Sequence, residues 1–312
     1  MTFGLSGNTD KEALWAPAAA LIRWMQRERH AFCLDARVAD GLARRGLLDG
    51  AACEEHATED LSHRSDVVLS FGGDGTLLRV AHRMGSAETP ILGVNIGRLG
   101  FLADIETAEL ERAVAQVAAG KYRVETRTAL EIERVGAGPD VAPTWALNEF
   151  AIERAGRAGL LAIRVAIDGV FLNTYWGDGL IVATPTGSTA YSLSVGGPIV
   201  APGAGVFVLT PVAPHSLTVR PIVLPDASVV EAVVTARTDV GLEGGVAPGF
   251  VVAADGAITR FEQARAVLRI RRAAHHVRLV KLPGQHYFGT LREKLMWGAG
   301  AKGEPDDASN PR

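Results

Sequence analysis

Two hydrophobic periodicities divide the chain. From Met1 to about Lys121, short apolar runs alternate with stretches whose apolar residues recur at helical spacing. Phe3-Gly4-Leu5 begins a strand, and Leu14, Ala18, Leu21, Ile22 and Met25 then share one helix face, with Pro17 early enough in that helix to be tolerated. Val67-Val68-Leu69-Ser70-Phe71 and the run from Pro90 to Asn95 read as buried strands, and Thr107 to Ala119 as a helix. Strands alternating with helices predict a parallel sheet covered on both faces. Ligands of such sheets sit at the carboxyl ends of the strands, where Gly72-Gly73 and Gly93-Val94-Asn95 fall. Beyond about Tyr122 the period becomes two, in Ala129–Glu133, Ile163–Ile167, Val229–Val233 and Val267–Arg271. Turn signals separate these runs, among them Asp168-Gly169, Pro225-Asp226 and Asp255-Gly256. This predicts a β-rich second domain of two packed sheets. Leu291 to Trp297 reads as helix again, and the polar, Gly- and Pro-bearing stretch from Gly298 to Arg312 as a disordered tail.

Composition narrows the class. A chain of 312 residues has room for about two domains, and a hydrophobic content of 47% supplies a core for each. Charged residues at 21% and a net charge of −3 argue against a dedicated nucleic-acid binder or a polybasic membrane binder. No apolar run is long enough to span a bilayer, and the first residues lack the features of a signal peptide. Cys33 and Cys53, with no CxxC and no zinc-type spacing, read as reduced thiols, so a cytoplasmic location is expected.

The chemistry is concentrated in a few segments. Gly72-Gly73-Asp74-Gly75-Thr76 follows a buried strand and opens into Leu77-Leu78-Arg79-Val80-Ala81. Such a glycine turn brings backbone N–H groups up to a phosphate, and Thr76 reads as the helix N-cap. Asp74 is out of place beside phosphates unless it accepts a proton from a hydroxyl nucleophile or helps to hold Mg²⁺. The pattern suggests phosphoryl transfer to an alcohol; the plain alternative is a turn with Asp as a turn residue. Asp178 to Ser192 reads as a strand, a hydroxyl-rich loop held by Pro185 and Gly187, and a short helix starting near Thr189. This suits a sugar, an amide or a phosphate, against a polar loop with a Ser/Thr cap. Asn148-Glu149 breaks an apolar strand and can recognise a purine edge and a ribose diol, or be a solvated strand end. His215 reads as structural, and His275-His276 as solvated residues on opposite strand faces. No GxxxxGK[ST] occurs, and the GxGxxG at Gly298–Gly303 has no strand before it, so it is a chance match.

The GGDGT turn resembles that of the GGDGT-type kinases, which include NAD kinases, diacylglycerol and sphingosine kinases and, more distantly, phosphofructokinases. Asn95 to Leu102, Leu147-Asn148-Glu149, Gly177 through Ile199, Pro214 to Leu217, Arg220 to Pro225 and a terminal helix from Phe288 to Trp297 are similar to the bacterial NAD kinases. The resemblance covers roughly Phe3 to Trp297 in the expected order. It weakens at Ser6 to Asp10, which carries no phosphate-loop signature, and past Gly298.

The fold it implies is α/β. A Rossmann-like α/β domain (1–122) carries GGDGT, a β-sandwich-like domain (123–282) binds NAD, a helix (283–298) returns to the first domain, and a tail (299–312) follows. The implied reaction is transfer of the ATP γ-phosphoryl group, with Mg²⁺, to the 2′-hydroxyl of the adenosine ribose of NAD. Asp74 is then the expected general base, and Gly72, Gly73 and Gly75, with Thr76 and Arg79 beside them, admit the ATP phosphates. Asn148 and Glu149 would hold the adenosine of NAD and Asp178 the nicotinamide amide. Thr189, Ala190, Tyr191 and Ser194 would line the adenine side, with Thr186 nearby. A homodimer or homotetramer is implied, with no nucleic-acid or membrane partner. A lipid kinase would keep the turn but need a membrane-facing basic surface. A non-catalytic dinucleotide sensor could dispense with Asp74. NADP formation by the pure protein separates the three.

Overall fold

The computed structural model describes residues 1–97, 100–156, 160–237 and 249–297. Arg98 and Leu99 of the Asn95–Leu102 motif lie outside the described residues, as does the tail from Gly298 with its GxGxxG. The chain divides into two units. One comprises Met1–Leu77, Ile91–Arg123 and Val280–Arg312, the other Leu78–Pro90 and Val124–Leu279.

The first unit is built on parallel strands. Their spatial order is Ala57–Thr58, Ala31–Asp35, Thr2–Gly7, Val67–Gly72, Ile91–Asn95, with Ile105–Glu106 pairing beyond Ile91–Asn95. Numbered along the chain this is the order 3-2-1-4-5-6 of a doubly wound sheet. Its strands are apolar on both faces because helices cover both: Phe3, Leu5, Leu69 and Phe71 are buried on one face and Val68 on the other. The helix Trp15–Arg27 buries the expected face of Ala18, Leu21, Ile22 and Met25, while Leu14 packs from the short turn just before it. Leu110–Ala118 buries Leu110, Ala113, Val114 and Val117 against the same core. Burying each leucine, isoleucine, valine or methionine among them stabilises the fold by about 1.5–3 kcal/mol. Cys33 and Cys53 are free thiols inside this unit. The terminal helix runs Tyr287–Leu295 and stops two residues short of Trp297, because Met296 takes a left-handed conformation.

The second unit is antiparallel. One sheet runs Ile222–Pro225, Val206–Val212, Gly179–Ala183, Glu149–Arg154, Phe250–Ala254, Ala257–Phe261. The other contains Val170–Gly177, Leu160–Ile167, Val230–Arg237 and most of Arg265–Lys281. Alternation along each strand sends one set of side chains inward. Ile163, Val165, Ala232, Val234, Leu268 and Ile270 of one sheet form a single core with Phe150, Ile152, Leu180, Val182, Phe207 and Phe250 of the other. Among the described residues, no helix is long and apolar enough to cross a membrane.

Candidate active site

In the first unit the switch of strand order falls between Thr2–Gly7 and Val67–Gly72. Open α/β sheets bind ligands there, and Gly73 and Asp74 follow directly on Val67–Gly72. The helix that follows runs Asp74–Met84. Leu77 N–H donates to the Gly73 carbonyl at 3.1 Å, so Gly73 takes the cap position. Thr76 is therefore not the N-cap; it is a buried residue of the first helical turn. Its side chain explains Gly72, where an added Cβ would lie 2.2 Å from Thr76 Oγ1. Gly73 and Gly75 differ from Gly72. Neither has positive φ, and a Cβ on either would meet nothing within 4 Å. The backbone of both is open to a ligand. Arg79 is exposed on the same helix.

Asp74 is committed to the loop after the strand Ile91–Asn95. Its Oδ2 accepts the Phe101 N–H at 2.8 Å, and its Oδ1 accepts those of Leu102 at 2.9 Å and Ala103 at 3.2 Å. The loop closes through Gly100 N–H to the Ala103 carbonyl, 3.2 Å. Gly100 must be glycine, since a Cβ would lie 2.0 Å from Asp74 Oδ1. The next residue, Asp104, pairs with Lys281 at 2.6 Å, both side chains buried. Nothing in the sequence pattern distinguished this anchor from an ordinary loop.

The second unit gathers the remaining polar segments. Asn148 and Glu149 are both buried, not solvated. The Thr184–Thr189 loop rests on them: Thr184 N–H donates to the Asn148 carbonyl at 2.9 Å, and Thr184 Oγ1 to the Leu147 carbonyl at 2.6 Å. Gly187 lies so near that a Cβ would come 2.1 Å from the Asn148 carbonyl oxygen. Thr186 is buried and accepts from Arg127 Nη1 at 3.4 Å, and Thr189 Oγ1 donates back to the Thr186 carbonyl at 3.2 Å. Arg127, which the sequence did not single out, is itself buried and held by Glu125 at 2.6 Å. The Tyr191 hydroxyl donates to Glu153 at 2.6 Å, and Asp178 pairs with Arg154 at 2.7 Å. Ala190 precedes the short helix Tyr191–Ser194, whose last residue, Ser194, is exposed. Asn148, Glu149, Thr186, Thr189 and Tyr191 thus belong to one hydrogen-bonded neighbourhood.

Three residues read as bystanders have definite places. His275 is not solvated: it is half-buried with its ring edge-on to Trp145 at 4.8 Å, and burial pushes its pKa below the usual histidine range. His276 faces Glu88. His215 is exposed, with its N–H on the Trp176 carbonyl at 2.8 Å.

Charge is unusual around Glu149. Burial first, and the nearby Asp255 carboxylate second, push its pKa up to about 8, although a backbone N–H from Tyr191 favours the ionised form. Glu149 Oε2 is buried without a partner. Tyr191 is pushed up to about 12, chiefly by its bond to Glu153, then by burial and by the surrounding carboxylates, Asp178 and Glu149 among them. The neighbourhood is acidic, and at neutral pH the Glu149 carboxyl group carries a proton.

Residues 3–122 match the ATP-NAD kinase N-terminal domain and residues 147–282 the ATP-NAD kinase C-terminal domain. An NAD kinase of Bacteroides fragilis is 39% identical over 302 residues, covering 97% of this chain and 100% of that protein. One from Chloroherpeton thalassium is 38% identical over 298 residues, covering 96% and 98%. Among solved structures, a yeast NADH kinase complexed with NADH superposes with a TM-score of 0.80 at 22% identity, covering 98% of this chain and 90% of that one. The two-unit α/β and antiparallel fold is that of solved NAD and NADH kinases. The chain belongs to the ATP-NAD kinase family.

Glu149 gives a pH-dependent prediction. A carboxyl group with a folded pKa of about 8, against an ordinary 4.5, holds its proton more tightly in the folded chain. Its contribution to stability is complete below about pH 4.5 and is lost as pH rises through about 8. Glu149→Gln mimics the protonated group at every pH. The melting temperature of this variant relative to the parent should therefore rise between pH 6 and pH 9, an interval that spans the titration at about 8. Scanning calorimetry across that interval checks it, and a constant difference removes the raised pKa.

Proposed function

We propose that this protein is an NAD kinase, transferring the γ-phosphoryl group of ATP to the 2′-hydroxyl of the adenosine ribose of NAD and releasing NADP and ADP. The observation that carries the reading is the match over both domains to curated NAD kinases along nearly their whole length. Both the GGDGT turn and the Asn148-Glu149 segment lie within the matched regions.

The residues fit the chemistry. The exposed backbone of Gly73 and Gly75 and the N-terminus of the helix Asp74–Met84 receive the ATP phosphates. Asp74 accepts the proton of the attacking hydroxyl. A carboxylate oxygen has room for about two donors. Oδ1 of Asp74 is filled by Leu102 and Ala103, whereas Oδ2, among the described residues, accepts one N–H, that of Phe101, so Oδ2 is the oxygen with room to act. In the second unit Asn148 and Glu149 hold the adenosine. The partnerless Oε2 of Glu149 is suited to a ribose hydroxyl. Asp178 takes the nicotinamide amide, and Thr189, Ala190, Tyr191 and Ser194 line the adenine side, with Thr186 nearby.

Magnesium would come with the ATP phosphates and supply charge neutralisation there, and Asp74 is the one acidic side chain of the turn that could join its shell. Exposed Val170, Phe171 and Leu217 offer apolar surface for a homodimer or homotetramer, and a cytoplasmic location suits the substrates.

The direct test is NADP formation from NAD, ATP and magnesium. Asp74→Asn should lower kcat by about 10²–10⁴-fold, the usual range for lost proton transfer. Its affinity for NAD should stay within a few-fold, since the acceptor residues are elsewhere in the chain. Steady-state rates beside calorimetric NAD titration decide it, and an unchanged kcat sinks the assignment.

Gly73→Ala is the companion test. Gly73 has ordinary backbone angles and open space at the Cβ position, so the melting temperature should hold while KM for ATP rises severalfold. A variant with the parent KM removes Gly73 from the phosphate site.

A further inference from the structure

Asp255-Gly256 joins the strands Phe250–Ala254 and Ala257–Phe261 in a two-residue hairpin, with Ala254 opposite Ala257. Both turn residues have positive φ, 47° for Asp255 and 87° for Gly256. This is the geometry for which Asn-Gly and Asp-Gly are preferred. The turn alone would accept asparagine as readily as aspartate, and it would leave the side chain in water.

The side chain is instead 1% exposed and fully occupied. Oδ2 accepts the Leu147 N–H at 2.7 Å and His82 Nε2–H at 2.9 Å. Oδ1 accepts the Asn148 N–H at 2.7 Å and the Glu149 N–H at 3.3 Å. Four donors fill the four sites of one carboxylate, a number that asparagine cannot supply. Leu147 and Asn148 lie between the strands Trp145–Ala146 and Glu149–Arg154, where no ladder secures both edges of the chain. Their carbonyls are taken by Thr184, and the Glu149 carbonyl by the Asp255 N–H at 3.2 Å. With its backbone held on both edges, this segment is left with only side chains to offer a ligand.

His82 completes the arrangement. Its ring lies on Trp145, centroids 4.0 Å apart, which aims Nε2 at Asp255. Trp145 is itself two residues from Leu147 along the chain.

We propose that Asp255, oriented by His82, is a positioning residue of the acceptor site, fixing Asn148 and Glu149 in the direction that receives the adenosine of NAD. The inference rests on the reading that these two residues hold the acceptor. It goes beyond that reading in assigning a role to a residue that touches neither substrate.

The test uses the full chain with Asp255→Asn, which keeps an Asn-Gly turn but halves the acceptor capacity. KM for NAD should rise at least tenfold, KM for ATP should stay within twofold, and amide hydrogen exchange at 147–149 should accelerate. His82→Phe keeps a ring on Trp145 without the donor and should give a smaller change in the same direction, which His82→Gln, with an N–H to offer, should partly restore. An Asp255→Asn enzyme with the parent KM for NAD overturns the proposal, as does unchanged exchange at 147–149. Equal losses in both KM values and in melting temperature also overturn it, since they mark a general structural role. A parent enzyme that forms no NADP overturns the proposed function itself, an outcome visible without any variant.

Discussion

The loops of the candidate site are held by aspartate carboxylates turned inward onto backbone N–H groups. Asp74 gathers Phe101, Leu102 and Ala103, and Asp255 gathers Leu147, Asn148 and Glu149. Each set of amides is consecutive and lies where the chain leaves regular structure, so no ladder or helix satisfies it. An unsatisfied buried amide costs about 1–3 kcal/mol, and hydrogen bonds to a charged acceptor contribute about 1.5–3 kcal/mol. Removing either carboxylate therefore does more than delete a side chain: it releases three amides at once. These loops can be rigid without being regular, which a site of fixed geometry requires.

The framework was legible because its physics is local. The alternation around Ile163–Ile167 and Val267–Arg271, and the helical face from Ala18 to Met25, follow from burial on one side or both. GGDGT was legible for a related reason: glycine after a buried strand has few structural explanations. The clasps were not legible. Asp255-Gly256 announces a hairpin and nothing more, and only the fold shows that Asp255 reaches a segment 106 to 108 positions earlier in the chain. Thr76 misled for the opposite reason. Its position after the glycines suggests a cap, yet the helix starts at Asp74 and its hydroxyl-bearing side chain turns in beside Gly72. Arg127 and His82 carry no motif at all. Each matters through one partner distant in sequence, Thr186 for the first and Asp255 for the second.

The electrostatics of the two halves are suited to different parts of a dinucleotide reaction. The glycine turn presents amides and a helix N-terminus, which favour anions. The second unit presents Glu153, Asp178 and Asp255 beside a protonated Glu149, a set that favours hydroxyl and amide donors over phosphates. Placing Asp255 beside Glu149 in a buried setting would be costly if both were charged. The structure resolves this by keeping a proton on Glu149 near neutrality, with burial the larger cause and Asp255 the second. The same arrangement leaves Glu149 Oε2 without a partner. A ribose diol supplies both a donor and an acceptor to such a carboxyl group, whereas a phosphate supplies only acceptors and charge. A buried, protonated carboxyl group of this kind is suited to a sugar hydroxyl, and the open amides of the glycine turn are suited to a phosphate.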